Sequence, residues 1–160
     1  MDATRVHLFI THLPVFGLFL GFLVLVYGVI MDQRHVKIVS LVILLISIVG
    51  GIIAFRTGES AEDTVGNITG IIENTIEQHE ESAELTILFL YGLGILSLIG
   101  LYVELKHKEF SKQMLIIIIG LTVVTFSFVV WTASLGGKIR HTEIDYQKTN
   151  NSKIEKNELD

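Results

Sequence analysis

Apolar residues arrive in four long blocks along this chain: Leu13 to Met31, Ile38 to Phe55, Leu85 to Val103 and Met114 to Leu135. A helix that crosses the hydrocarbon layer needs roughly 20 mostly apolar residues, and each block is near that length. Strands of a membrane barrel alternate in polarity and are far shorter. The pattern therefore predicts an all-α fold, an integral-membrane four-helix bundle over residues 1–144, with a polar C-terminal tail over 145–160. The first block is too long for the apolar core of a secretory leader. It carries Pro14 near its start and no small-residue cleavage site follows it, so it is read as a retained helix.

Within that frame the first helix is expected over residues 4–31, with Thr4 as its cap and a tolerated bend at Pro14. Gly17, Gly21 and Gly28 fall near one face, where small residues let a helix or a flat cofactor approach. The second helix is expected to end at Phe55 or Arg56. Beyond it, Ser60 to Asp63 resembles a capping box. Val65, Ile68, Ile72, Ile76, His79 and Ala83 then recur at helical spacing on an acidic segment. This predicts an amphipathic helical segment before the third span, covering the end of the bundle or extending that span, with His79 turned inward. Thr122, Thr125, Ser127, Thr132 and Ser134 on the fourth span are expected to bond their own helix backbone. Gly136 and Gly137 are expected to end that helix, leaving a loosely attached tail.

Composition narrows the chemistry. Half of the 160 residues are hydrophobic and the mean hydropathy is +0.58, which suits a membrane domain. The chain has no cysteine, so disulfides, thiolate metal sites and iron–sulfur ligation by its own residues are excluded. The net charge of -5 gives no reason to expect a nucleic-acid partner. There is no nucleophile elbow, phosphate-binding loop or zinc-protease helix motif, so no catalytic residue is assigned and an enzymatic role stays open.

Charge also predicts sidedness. Four spans place both termini on one side. The two short loops on the other side hold Arg34 and Lys37, then Lys106, Lys108 and Lys112. Short positive loops mark the cytoplasmic face. The long segment from Thr57 to Glu84 carries eight acidic residues, Glu59, Glu62, Asp63, Glu73, Glu77, Glu80, Glu81 and Glu84. The chain is therefore expected in the bacterial cytoplasmic membrane, with termini and long loop on the outer side. Lys138 and Arg140 run against that bias.

This orientation gathers four of the six histidines, His7, His12, His79 and His141, on the outer side. His35 and His107 fall at the opposite end. Imidazole is the usual ligand of transition metals and haem iron, and ionisable groups in a membrane bundle are functional candidates. His7 and His12 are five residues apart, a rotation of about 140° and a rise of roughly 7.5 Å, so they do not form a side-by-side pair. Two chemistries fit. Haem b would take two axial imidazoles, best His12 and His79, with Arg5, Arg56, Lys138 or Arg140 meeting the propionates. A zinc, copper or iron ion would take three histidines from among His7, His12, His79 and His141, plus a carboxylate such as Glu59, Glu62 or Glu80. Spacing alone does not choose between them.

The run His7-Leu8-Phe9-Ile10-Thr11-His12-Leu13-Pro14 resembles the opening of the bacterial membrane family known as domain of unknown function 2231. Thr57-Gly58, His79 before the third span, and Gly136-Gly137 followed by His141 are similar to later markers of that family. The resemblance spans about residues 5 to 144. Where the family often has proline after the first histidine, this chain has Leu8. Membership implies a four-span bundle with a histidine site on one face. The fusion of some relatives to Rieske-type domains implies electron transfer. The leading expectation is thus a membrane electron-transfer module that binds haem b or a metal ion and exchanges electrons with quinone or an outer-side redox partner. The alternatives are a non-catalytic subunit of a larger membrane complex and a metal-trafficking protein.

Overall fold

A computed structural model describes the backbone of residues 9–65, 71–106 and 111–159, and the side chains of 9–58, 74–106 and 111–139. It contains four long helices: α1 (His12–Ile30), α2 (Arg34–Val65), α3 (Ile71–Leu105) and α4 (Ser111–Leu159). Each contains a stretch long and apolar enough to cross a membrane, His12–Ile30, Arg34–Gly58, Asn74–Leu105 and Ser111–Ile139. Sequence neighbours pack side by side, and α4 closes the ring against α1. Among the described residues α1 does not pack on α3, nor α2 on α4. The result is an up-down-up-down four-helix bundle.

The packing follows from spacing. In α1 the buried positions are Pro14, Leu18, Gly21, Leu25 and Gly28, alternating steps of four and three. Buried Leu115, Ile118, Thr122, Thr125 and Val129 repeat the rhythm in α4. This is the seam of a left-handed bundle. Leucines fill the centre: Leu18, Leu25, Leu41, Leu44, Leu90 and Leu93 are almost wholly buried. The outward faces are equally apolar, with Leu20, Leu23, Ile46, Ile95, Ile116 and Val123 exposed. An apolar girdle of that extent suits lipid and would aggregate in water. Phe89 stacks on Phe128 at 4.7 Å between α3 and α4, and Phe19 meets Phe126 at 5.8 Å where α4 closes on α1.

Glycine sets how closely α1 approaches α2. A β-carbon at Gly17 would lie 2.9 Å from Ser47 Cβ, and one at Gly21 would lie 2.9 Å from Leu44 Cγ. The expected close-packing role of these glycines therefore holds. Gly28 lets α1 pass the start of α2, where a β-carbon would sit 3.0 Å from the Lys37 amide nitrogen.

One end of the bundle is sealed by charge. The α1–α2 turn is a Schellman-type cap in which Gln33 N–H donates to Gly28 O at 2.9 Å. Asp32 takes the left-handed position, φ 50°, which aspartate tolerates better than most residues. Its carboxylate receives the Lys37 ammonium at 2.5 Å. That hydrogen bond, with the charges of Lys37 and Lys112, lowers the Asp32 pKa below the ordinary carboxylate range. Lys37 itself is buried and also lies 3.9 Å from the buried Glu104 carboxylate. The Ser111 hydroxyl donates to the same carboxylate. Arg34 donates to the Glu104 and Leu105 carbonyls at 3.2 and 3.3 Å, satisfying the open C-terminus of α3. Lys37, expected in a short loop, instead lies buried in the first turns of α2 within this cluster.

Two helix limits differ from expectation. The second helix runs past Arg56 to Val65, so Ser60 to Asp63 lies inside α2 and does not start a helix. From Ile71 onward the amphipathic segment extends the third span, one of the two expected placements. The fourth helix runs through Gly136 and Gly137 to Leu159. Two glycines cost a helix about 1 kcal/mol each. Neither takes a positive φ here, and no proline follows to force a stop. The expected start at Thr4 lies outside the described residues. Residues 9–10 are helical and the assignment breaks at Thr11, where Pro14 has no N–H for the Ile10 carbonyl.

Gly17→Val is expected to lower stability by about 1–3 kcal/mol by overpacking. Gly92→Ala, where a β-carbon meets open space, should be neutral or stabilising by up to about 1 kcal/mol. Thermal unfolding in detergent separates the two. Lys37→Met leaves the Glu104 carboxylate without its countercharge and should cost about 3–5 kcal/mol. Adding Glu104→Met to it should recover most of the loss, which a double-mutant cycle measures.

Candidate functional site

At the opposite end, which carries His12 and His79, all four helices line one cleft of about 260 Å³. Thr11, just before α1, and Pro14 and Val15 within it line one side, with Gly51, Ala54, Phe55 and Gly58 from α2. The α3 face contributes His79, Glu80, Ala83, Glu84, Thr86, Ile87 and Leu90. Val129, Thr132 and Ala133 of α4 complete it. Space exists because several helix positions here carry small side chains. His79 and Leu90 are eleven residues apart, so the cleft reaches roughly 16 Å along α3. One end is polar and the other is hydrocarbon-like.

Thr132 organises the polar end. Its hydroxyl contacts those of Ser82 at 2.6 Å and Thr86 at 2.9 Å. Its carbonyl lies 3.0 Å from His79 Nδ1. A carbonyl can only accept, so Nδ1 carries the proton in this contact. Gly136 makes room for the ring: a β-carbon there would sit 3.2 Å from His79 Cε1. The expected self-bonding of α4 hydroxyls holds for Thr122, Thr125, Ser127 and Ser134. Thr132 departs from it by bonding across to α3. The spacing of Ser82 and Thr86, one turn apart on the His79 face, is the signal that could have revealed the hub.

The other candidates are dispersed. His79 is half-buried and Glu80 exposed, both in the cleft lining. His12 is exposed, with its ring 6.2 Å from that of Phe16, and it does not line the cleft. The structure therefore does not bring His12 into the same cleft as His79. Arg56 is exposed at the same end of α2. His35 is exposed at the start of α2, at the charged end. The α2 and α4 backbones pass through Glu59, Glu62, Arg140 and His141, but those side chains lie outside the described ones, as do Arg5, His7 and His107. Among the described residues no group of three His, Cys, Asp or Glu side chains is placed to hold a metal ion.

Comparison with family models, with curated proteins and with solved structures finds no match.

Thr132→Val preserves shape but leaves the Ser82 and Thr86 hydroxyls without their shared partner. It is expected to cost about 1–3 kcal/mol. Ser82→Ala added to it should restore part of the loss, read by thermal unfolding.

Proposed function

We propose that this chain is a membrane electron-transfer module of the kind its resemblance to domain of unknown function 2231 implies, and that it seats a lipid-soluble carrier of the quinone class in the His79 cleft. One observation carries this reading. A single oriented imidazole heads a slot that runs from polar groups into an apolar floor of Val15, Ile87, Leu90 and Val129. A ring-headed, tailed carrier has that same gradient, and pockets for small molecules combine an apolar lining with a few placed polar groups. The loop charges argue that the cleft opens toward the outer leaflet of the cytoplasmic membrane.

Haem b fits the described side chains less well. It requires two facing imidazoles, and among the described side chains His79 is the one imidazole in the lining. A bare zinc, copper or iron ion would need a donor group that includes side chains beyond the described ones. The electron acceptor belongs to an outer-side partner or to a larger membrane complex that contains this chain.

Protein purified from native membranes should release about one quinone per chain into organic solvent. Ala54→Phe with Ala133→Phe fills the cleft and should cut that yield at least threefold, while His35→Ala leaves it unchanged. A Soret band with no extractable quinone would replace the carrier reading with haem b. Colourless, quinone-free protein would favour a structural subunit.

A further inference from the structure

At the end sealed by charge, the described side chains carry four cations, Arg34, Lys37, Lys106 and Lys112, against two carboxylates, Asp32 and Glu104. Lys37 faces both carboxylates, at 2.5 and 3.9 Å. Arg34 directs its Nε and Nη2 protons to the Glu104 and Leu105 carbonyls. Those acceptors are uncharged, so the guanidinium charge is not cancelled. Lys106 and Lys112 are exposed, and among the described residues neither has an ion-pair partner. Lys108 and Glu109, between them in sequence, cancel in formal charge. The same network sets where the surplus cations stand. The Leu105 carbonyl that receives Arg34 immediately precedes Lys106. Ser111, whose hydroxyl donates to the Glu104 carboxylate, immediately precedes Lys112. One positive patch therefore surrounds the end of α3. The Lys106 N–H donates to the Tyr102 carbonyl at 3.0 Å, so the helical path continues and Lys106 shares a face with the exposed Tyr102. Exposed Leu98 lies one turn further along that face. The third apolar block ends at Val103 and the fourth begins at Met114, which puts the patch where hydrocarbon gives way to headgroups.

We propose that this patch binds the phosphodiester headgroup of an anionic phospholipid, with its acyl chains lying along Tyr102 and Leu98 below. The binding does not depend on what the cleft at the other end holds. A negative headgroup at this depth meets Arg34, Lys106 and Lys112 together, and basic side chains beside a bilayer attract anionic lipid in this way. A zwitterionic headgroup brings an ammonium of its own, which the same cations repel. A soluble phosphodiester has the charge but leaves the apolar face below uncovered. An acidic protein segment would also have to displace the headgroups already at that level. The preference belongs to one end of the bundle. At the cleft end the described side chains include Glu77, Glu80, Glu81 and Glu84 against Arg56 and Lys138, a balance of the opposite sign.

The test uses the full chain in phosphatidylcholine nanodiscs that contain a trace of spin-labelled lipid, whose spectrum reports the fraction held at the protein surface. Spin-labelled phosphatidylglycerol is expected to be held about two- to three-fold more strongly than phosphatidylcholine with the same chains. Raising the salt to about 1 M should remove most of that difference. Lys106→Gln with Lys112→Gln changes only exposed positions and should bring the ratio close to one. Lys106→Arg with Lys112→Arg keeps both charges and should keep the ratio. Equal retention of the two lipids by the parent chain, or a preference that survives the glutamine pair, would overturn the site. Release of the labelled lipid by soluble glycerophosphoglycerol would overturn the lipid assignment in favour of a free phosphodiester. Capture of a polyglutamate peptide in discs that show no phosphatidylglycerol preference would give the patch to an acidic protein partner instead.

Discussion

In hydrocarbon a polar group has no water to turn to, so its hydrogen bonds must be found inside the bundle. That constraint orders this molecule from end to end. Along the middle, Ser40, Ser47, Thr122 and Thr125 return their protons to carbonyls of their own helices. They are buried without making demands on a neighbour. Ser97 is different: its hydroxyl is buried with no partner, and nothing in the structure explains it. At the two ends the bonds leave the parent helix, and there they determine which helix stands beside which.

The end sealed by charge and the end holding the cleft solve the same problem differently. Lys37, Glu104, Asp32, Arg34 and Ser111 join α2, α3, the α1–α2 turn and the start of α4 into one network. A buried ion pair seldom adds net stability over an apolar pair. It does penalise any arrangement that separates Lys37 from Glu104, and so it helps fix helix order. At the cleft end the described bonds between helices are made by hydroxyls and an imidazole. His79, Ser82, Thr86 and Thr132 tie only α3 to α4, which leaves α1 and α2 to form the far wall.

Much of this was legible in the sequence. Four apolar blocks of near-membrane length specify four helices and their antiparallel order with little ambiguity, and the inward turn of His79 follows from its place in the stripe that includes Ile72, Ile76 and Ala83. The fates of His12 and Thr132 were less accessible. His12 shares an end with His79, as the topology requires, yet helix rotation turns it outward beside Phe16. Rotation is set by which side of α1 carries Gly17, Gly21 and Leu18, and a histidine two positions before Pro14 lies off that seam. Thr132 looked like its neighbours because a hydroxyl on a membrane helix bonds its own backbone unless a partner happens to face it. That partner, Ser82, comes from a span fifty residues away. Lys37 likewise reads as a loop residue, since nothing local indicates that it lies at the depth of Glu104.

Small residues have opposite consequences at different levels of the bundle, and this is what places the cleft. At Gly17 and Gly21 the missing β-carbon is answered by Ser47 and Leu44 across the seam, so the helices close. Ala54, Gly58, Ala83 and Ala133 line the cleft, and their small side chains leave space between the helices there. A bundle held at fixed spacing by its tight middle cannot collapse onto small side chains near one end, because long helices are stiff. The cleft is therefore a product of the glycine seam as much as of its own lining.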